Sequence, residues 1–149
     1  MILGRCLARN ARLYPDKSAV VSDDGRSISH AALNDRVKRL ANAFTARGIA
    51  KGDKLAILAR NSPEYLEVYF AAGKIGAPLV PVNNQLKAAD IHYRLAHSDA
   101  RALVVDREFL PLLDDLPAAT RDALGGRVFA VDGNAGTLPA LDELISAAP

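Results

Sequence analysis
The chain has 149 residues, 50% of them hydrophobic and 24% charged, with a net charge of +2. That suits a single domain able to bury roughly two thirds of its unfolded surface, and so small a net charge gives no reason to invoke nucleic acid or an anionic membrane as partner. Cys6 is the only cysteine, which excludes an intrachain disulfide and a CxxC metal or redox site, and no run approaches the ~18 apolar residues of a membrane span.

In chain order, residues 3–13 have helical spacing, and they lack the long apolar core of a secretory signal. The expected compartment is therefore the reducing cytoplasm. Val20-Val21 and Ser27-Ile28, joined through Asp23-Asp24-Gly25, read as a hairpin. Ser29 can cap a helix over 29–47, in which Leu33, Val37, Leu40, Ala41 and Phe44 form one apolar stripe and Gly48 supplies a left-handed stop. Ser62-Pro63 opens a second helix over 63–75 that ends near Gly73 or Gly76. A third spans 88–97, with Ile91 and Leu95 facing inward.

Between these lie short, unbroken apolar runs at 55–59 (LAILA), 79–82 (LVPV), 102–105 (ALVV) and 128–131 (VFAV). Such runs suit strands covered on both faces. Their starts lie about 23 to 26 residues apart, room for one helix per step, so the spacing predicts an α/β fold with a mainly parallel sheet flanked by helices. Leu110, Leu113, Leu116 and Leu124 suggest two short helices broken at Pro117, and 138–147 reads as a last helix.

Charge is unevenly spread. Residues 1–60 carry 12 Lys/Arg against 5 Asp/Glu, a net +7, and residues 61–149 carry 7 against 12, a net −5. The split can steer an anionic ligand or simply mark two solvated faces of opposite sign.

A self-contained active site is not legible. There is no GxGxxG, no GxxxxGK[ST] and no GxSxG, and Gly125-Gly126 precedes a strand instead of following one. Cys6 has no histidine near it in sequence and reads as a half-buried helix residue. His92 and His97 are five apart and cannot share a metal as an i, i+4 pair does. His30 reads as a surface or packing residue, and Asp114-Asp115 as a solvated pair. The residues themselves thus assign no catalytic and no metal-binding position.

An ordered series of short features carries more. Tyr14-Pro15-Asp16-Lys17-Ser18-Ala19-Val20-Val21 leads to the hairpin and Ile28-Ser29-His30-Ala31-Ala32-Leu33. Then come Arg47-Gly48-Ile49-Ala50-Lys51-Gly52-Asp53 before an apolar strand, Asn61-Ser62-Pro63-Glu64-Tyr65, Gly76-Ala77 and Val80-Pro81-Val82-Asn83. The series resembles the opening of the adenylate-forming superfamily, which includes acyl-CoA synthetases, luciferases and the adenylation domains of peptide synthetases. It covers roughly residues 5–105 well and the remainder loosely.

The resemblance implies that residues 1–149 form the N-terminal α/β subdomain of such a ligase, truncated before its phosphate loop. The parent enzyme would activate a carboxylic acid with ATP, assisted by Mg²⁺, to an acyl-adenylate and transfer the acyl group to CoA, as in fatty acid metabolism. The expected partners are the downstream remainder of the same polypeptide and a second copy in a homodimer. The chain alone is expected to be inactive and to bind none of these cofactors.

Two departures stand out. Ser29-His30 replaces a frequent Thr-Tyr, keeping the capping hydroxyl and losing a ring. Asn83-Asn84-Gln85-Leu86 replaces a frequent Asn-Pro-Arg-Leu, whose arginine lies near the CoA nucleotide in some ligases. Gln85 is thus the one candidate cofactor-edge position, and it offers no positive charge to a phosphate. The alternative reading is a free-standing α/β interaction or dimerisation module without a reaction of its own. A third, a flavodoxin-like nucleotide binder, is disfavoured because no strand is followed by a phosphate-cradling loop.

Overall fold
The computed structural model describes residues 3–133 and 136–149. Four parallel strands, β3 (Lys54–Leu58), β4 (Leu79–Pro81), β5 (Ala100–Val105) and β6 (Val128–Ala130), form one sheet in the order β4-β3-β5-β6. β1 (Ser18–Val21) and β2 (Ser27–Ser29) form a separate antiparallel hairpin. The apolar runs become strands because both their faces are buried. Leu55, Ile57, Ala102, Val104 and Phe129 point into one hydrophobic cluster, and Ala56, Leu58, Leu103 and Val105 into the other. This is the period-2 alternation of a sheet sandwiched between two helical layers.

α1 (Leu3–Leu13), α2 (His30–Ala46), α3 (Pro63–Ile75) and α7 (Leu141–Ala147) cover the first face. α4 (Ala88–His97), α5 (Pro111–Asp114) and α6 (Ala118–Leu124), with a 3₁₀ turn at Arg107–Phe109, cover the second. The whole predicted stripe of α2 is buried, and Phe44 meets Phe129 across the layer boundary at 5.4 Å between ring centroids. Ser29 and Ser62 cap α2 and α3 by accepting the amides of Ala32 and Tyr65, each at 3.2 Å. α3 runs through Gly73 and stops at Gly76, whose φ of 74° closes the helix in the left-handed conformation.

One expectation shifts. The 138–147 helix begins only at Leu141, because Pro139 keeps the chain extended while Ala140 bridges β6. On its apolar face Leu141, Leu144 and Ile145 are buried against the first cluster beside α2. On α3, Leu66 and Tyr69 face outward, and the buried side carries Glu67, Val68, Ala71 and Ala72.

Candidate functional site at the carboxyl edge of the sheet
In the order β4-β3-β5-β6 the chain leaves β3 toward one edge and β5 toward the other. The switch point therefore falls between β3 and β5, and open α/β sheets take ligands in the crevice beyond the carboxyl ends of such strands. The loops after β3 and β5 are stitched together there. Asp106 donates its amide to Leu58 O at 3.0 Å, and its Oδ2 accepts the Arg60 amide at 2.5 Å. The Arg60 guanidinium grips both carboxylate oxygens of Glu108, with Nη2 at 2.8 Å from Oε2. Val82 and Val131 extend the edge by donating to Ile57 O and Val105 O.

The stitching shapes two open clefts. One of about 610 Å³ lies over β3 and β4 and is lined by Arg60, Asn61, Tyr65, Val82, Asn83 and Asn84. The other, about 500 Å³, lies over β5 and β6 between Asp106, Arg107, Glu108 and Asp132. Burial pushes the Asp106 carboxyl above its ordinary range, outweighing the amide bond from Arg60. The Arg60 hydrogen bond holds the Glu108 carboxyl below its ordinary range. The edge is thus a hydrogen-bonding surface of amides and one ion pair, suited to positioning a polar ligand or an adjoining segment.

Gln85 sits just beyond this edge. It is exposed, and its amide donates to Asn83 Oδ1 at 2.9 Å in a tight turn after β4, next in sequence to Asn84 of the cleft wall. The other singled-out residues are not brought together. Cys6 is half-buried on α1, as expected of a helix residue. His92 pairs with Thr120 Oγ1 at 2.6 Å, whereas His97 stacks on Tyr93. His30 Nδ1 is buried without a hydrogen-bond partner among the described residues, and Asp114 and Asp115 are exposed. Among the described residues no group of His, Cys, Asp and Glu could hold a metal ion. Among the described residues no helix is long and apolar enough to cross a membrane.

Sequence reading missed a cluster on the other face of the fold. Glu67, 1% exposed on α3, is held bidentately by Arg36 of α2, with Nη2 at 3.0 Å, and Arg36 also reaches Asp142 of α7 at 2.6 Å. A glutamate among the buried Val68, Ala71 and Ala72 of α3 is the feature that demands a cation opposite.

Comparison with known proteins places this geometry. A family model described as AMP-binding enzyme matches residues 7–143. The chain is 38% identical over 141 residues to a feruloyl-CoA synthase of Amycolatopsis sp, covering 95% of this chain and 27% of that protein. It is 39% identical over 106 residues to a crotonobetaine/carnitine–CoA ligase of Citrobacter koseri, covering 68% and 20%. An anthranilate CoA ligase in complex with anthranoyl-AMP superposes with a TM-score of 0.86 at 25% identity, over 100% of this chain and 28% of that one. The N-terminal domain of FACL13 from Mycobacterium tuberculosis superposes with a TM-score of 0.86 at 27% identity, over 99% and 36%. The chain spans about a quarter of the length of the curated relatives it matches.

Proposed function
Because the chain belongs to the AMP-binding enzyme family, we propose that it forms the N-terminal α/β subdomain of an ATP-dependent acid–thiol ligase, an acyl-CoA synthetase. The parent would couple a carboxylic acid to ATP as an acyl-adenylate and pass the acyl group to CoA in the cytoplasm. The observation that carries this reading is the match over 95% of the chain to a protein named for CoA thioester synthesis.

The 149 residues hold no Gly-rich, lysine-bearing loop for nucleotide phosphates, and no metal-binding set occurs among the described residues. They do not by themselves fit ATP and Mg²⁺, and no step of the reaction is assigned to them. Their contribution is the scaffold: a rigid parallel sheet whose carboxyl edge, stitched by Arg60, Asp106 and Glu108, receives an adjoining segment of the parent. Gln85, beside that edge, is the position where a CoA nucleotide would pass without gaining a charge contact.

The test is carboxylate-dependent exchange of labelled pyrophosphate into ATP. The chain alone should show none above background, for lack of donors to the transferring phosphoryl group. The same chain grafted onto the downstream remainder of the feruloyl-CoA synthase should show it. A folded graft with no exchange, alongside an active parent synthase, would overturn the reading and favour an independent interaction module.

A further inference from the structure
The net charge of +2 conceals a concentrated cationic face. α1 contains no acidic residue, and Arg5, Arg9 and Arg12 recur along it at i, i+4 and i+7, one stripe on the side opposite buried Leu7. All three are exposed, and none makes an ion pair or hydrogen bond among the described residues. α1 rests on α2 and α3 instead of on the sheet, so this stripe looks outward from the molecule.

Exposed apolar side chains lie at the end of α1 and on α3, the helix it packs against. At the end of α1, Leu13 and Tyr14 are 46% and 55% exposed, and Lys17 Nζ sits 5.9 Å from the centroid of the Tyr14 ring. On neighbouring α3, Leu66, Tyr69 and Gly73 form the stripe opposite its buried side, with Phe70 set edge-on to Tyr69 at 6.0 Å. Leu66 and Tyr69 are 39% and 42% exposed.

Unpaired arginines beside exposed aromatic and aliphatic side chains are the two halves of peripheral membrane recognition: cations meet anionic headgroups while rings and aliphatic groups enter the interfacial layer. Nucleic acid would use the cations and leave the apolar stripe of α3 in water. We propose that the outer face of α1 and α3 docks on an anionic phospholipid bilayer, with Arg5, Arg9, Arg12 and Lys17 on the headgroups and Leu13, Tyr14, Leu66 and Tyr69 at the interface. The proposal is independent of the ligase reading.

The probe is flotation of the chain with phosphatidylcholine vesicles, with and without about a third phosphatidylserine. Binding to the anionic vesicles alone, falling as salt is raised, is expected. Each cation near such a surface strengthens partitioning about fivefold, so the triple variant Arg5→Gln, Arg9→Gln, Arg12→Gln should lose about a hundredfold. The pair Leu66→Ser, Tyr69→Ser should weaken binding without abolishing its salt dependence. Arg101→Gln, an exposed cation on β5, should leave it unchanged. Circular dichroism melts verify that each variant is folded. Absence of binding at low salt, equal binding to neutral vesicles, or a folded triple variant that binds like the parent chain would overturn the proposal. Binding to duplex DNA tighter than to anionic vesicles, and indifferent to Leu66 and Tyr69, would overturn it in favour of a nucleic-acid face.

Discussion
Removing Arg36 should show how much the fold depends on one buried charge. Glu67 is 1% exposed, and Arg36 is its bidentate partner. Stripping a buried carboxylate of its partner costs about 3–5 kcal/mol. The Arg36 side chain is 32% exposed, so water reaches the pair, and we expect about 2–3 kcal/mol for Arg36→Met. For a chain of this size that is a fall in Tm of about 4–12 °C. The double variant Arg36→Met, Glu67→Leu should recover most of it, because an apolar pair of similar volume is often neutral or better.

The pH dependence has a definite sign. Burial raises the Glu67 carboxyl above its ordinary range even beside Arg36. The arginine's own shift, upward, points to a strong pair instead; near-complete burial of Glu67 makes desolvation the larger effect. A group whose folded pKa is raised favours folding at low pH and loses that contribution as pH rises through the folded value. Without Arg36 the carboxyl rises further, so the penalty should be full at pH 7–8 and shrink as acid protonates Glu67, by about 1.4 kcal/mol for each unit of additional shift. Urea unfolding of the chain itself, of Arg36→Met, of Glu67→Leu and of the double variant at pH 5 and pH 7.5 measures this. An Arg36→Met variant within about 0.5 kcal/mol of the parent chain, or a double variant no better than the single, would refute the reasoning.

Other expectations are simpler. Ser62→Ala removes the acceptor for the Tyr65 amide and should cost about 1 kcal/mol in urea unfolding. Gly76→Ala forces a side chain into a φ of 74°, with its Cβ 3.0 Å from Lys51 Cγ, and should cost about 1–2 kcal/mol by the same measurement. The α7 face is not available for self-association, since Leu141, Leu144 and Ile145 are buried. What remains is an apolar groove of about 670 Å³ lined by Leu110, Leu113, Val128 and Leu138. Light scattering at micromolar concentration should show a dimer that Leu113→Glu dissociates; a monomer of 15.9 kDa would remove the groove from consideration.

Local patterning made the layers legible. The stripe Leu33-Val37-Leu40-Ala41-Phe44 and the capping serines marked α2 and α3, and unbroken runs such as ALVV suited strands covered on both faces. The outward turn of Leu66 and Tyr69 was hidden because α3 is apolar on nearly every side, so periodicity gave no face. The packing of α7 was hidden for a different reason. Its apolar residues looked partnerless along the chain, but α2 lies beside it in space, about a hundred residues away in sequence.

The site shows the same division. Asn61 and Asn83 were visible as members of an ordered series, and Gln85 as a departure just after it. The bonds joining Arg60 to Asp106 and Glu108 span 46 and 48 residues and depend on β3 and β5 being neighbours. Strand order decided that, and the rhythm of runs along the chain leaves strand order open. The Arg36–Glu67–Asp142 cluster likewise needs three helices in place before it exists.

The central claim is that this chain is the N-terminal scaffold of a CoA-thioester-forming ligase. Mass spectrometry of the graft described above, incubated with ATP, Mg²⁺, CoA and a panel of aromatic and aliphatic acids, tests it most directly. The account predicts an acyl-CoA product that requires both ATP and CoA and is absent with the chain alone. A stable, folded graft yielding no thioester from any acid, under conditions where the intact synthase is active, would contradict it.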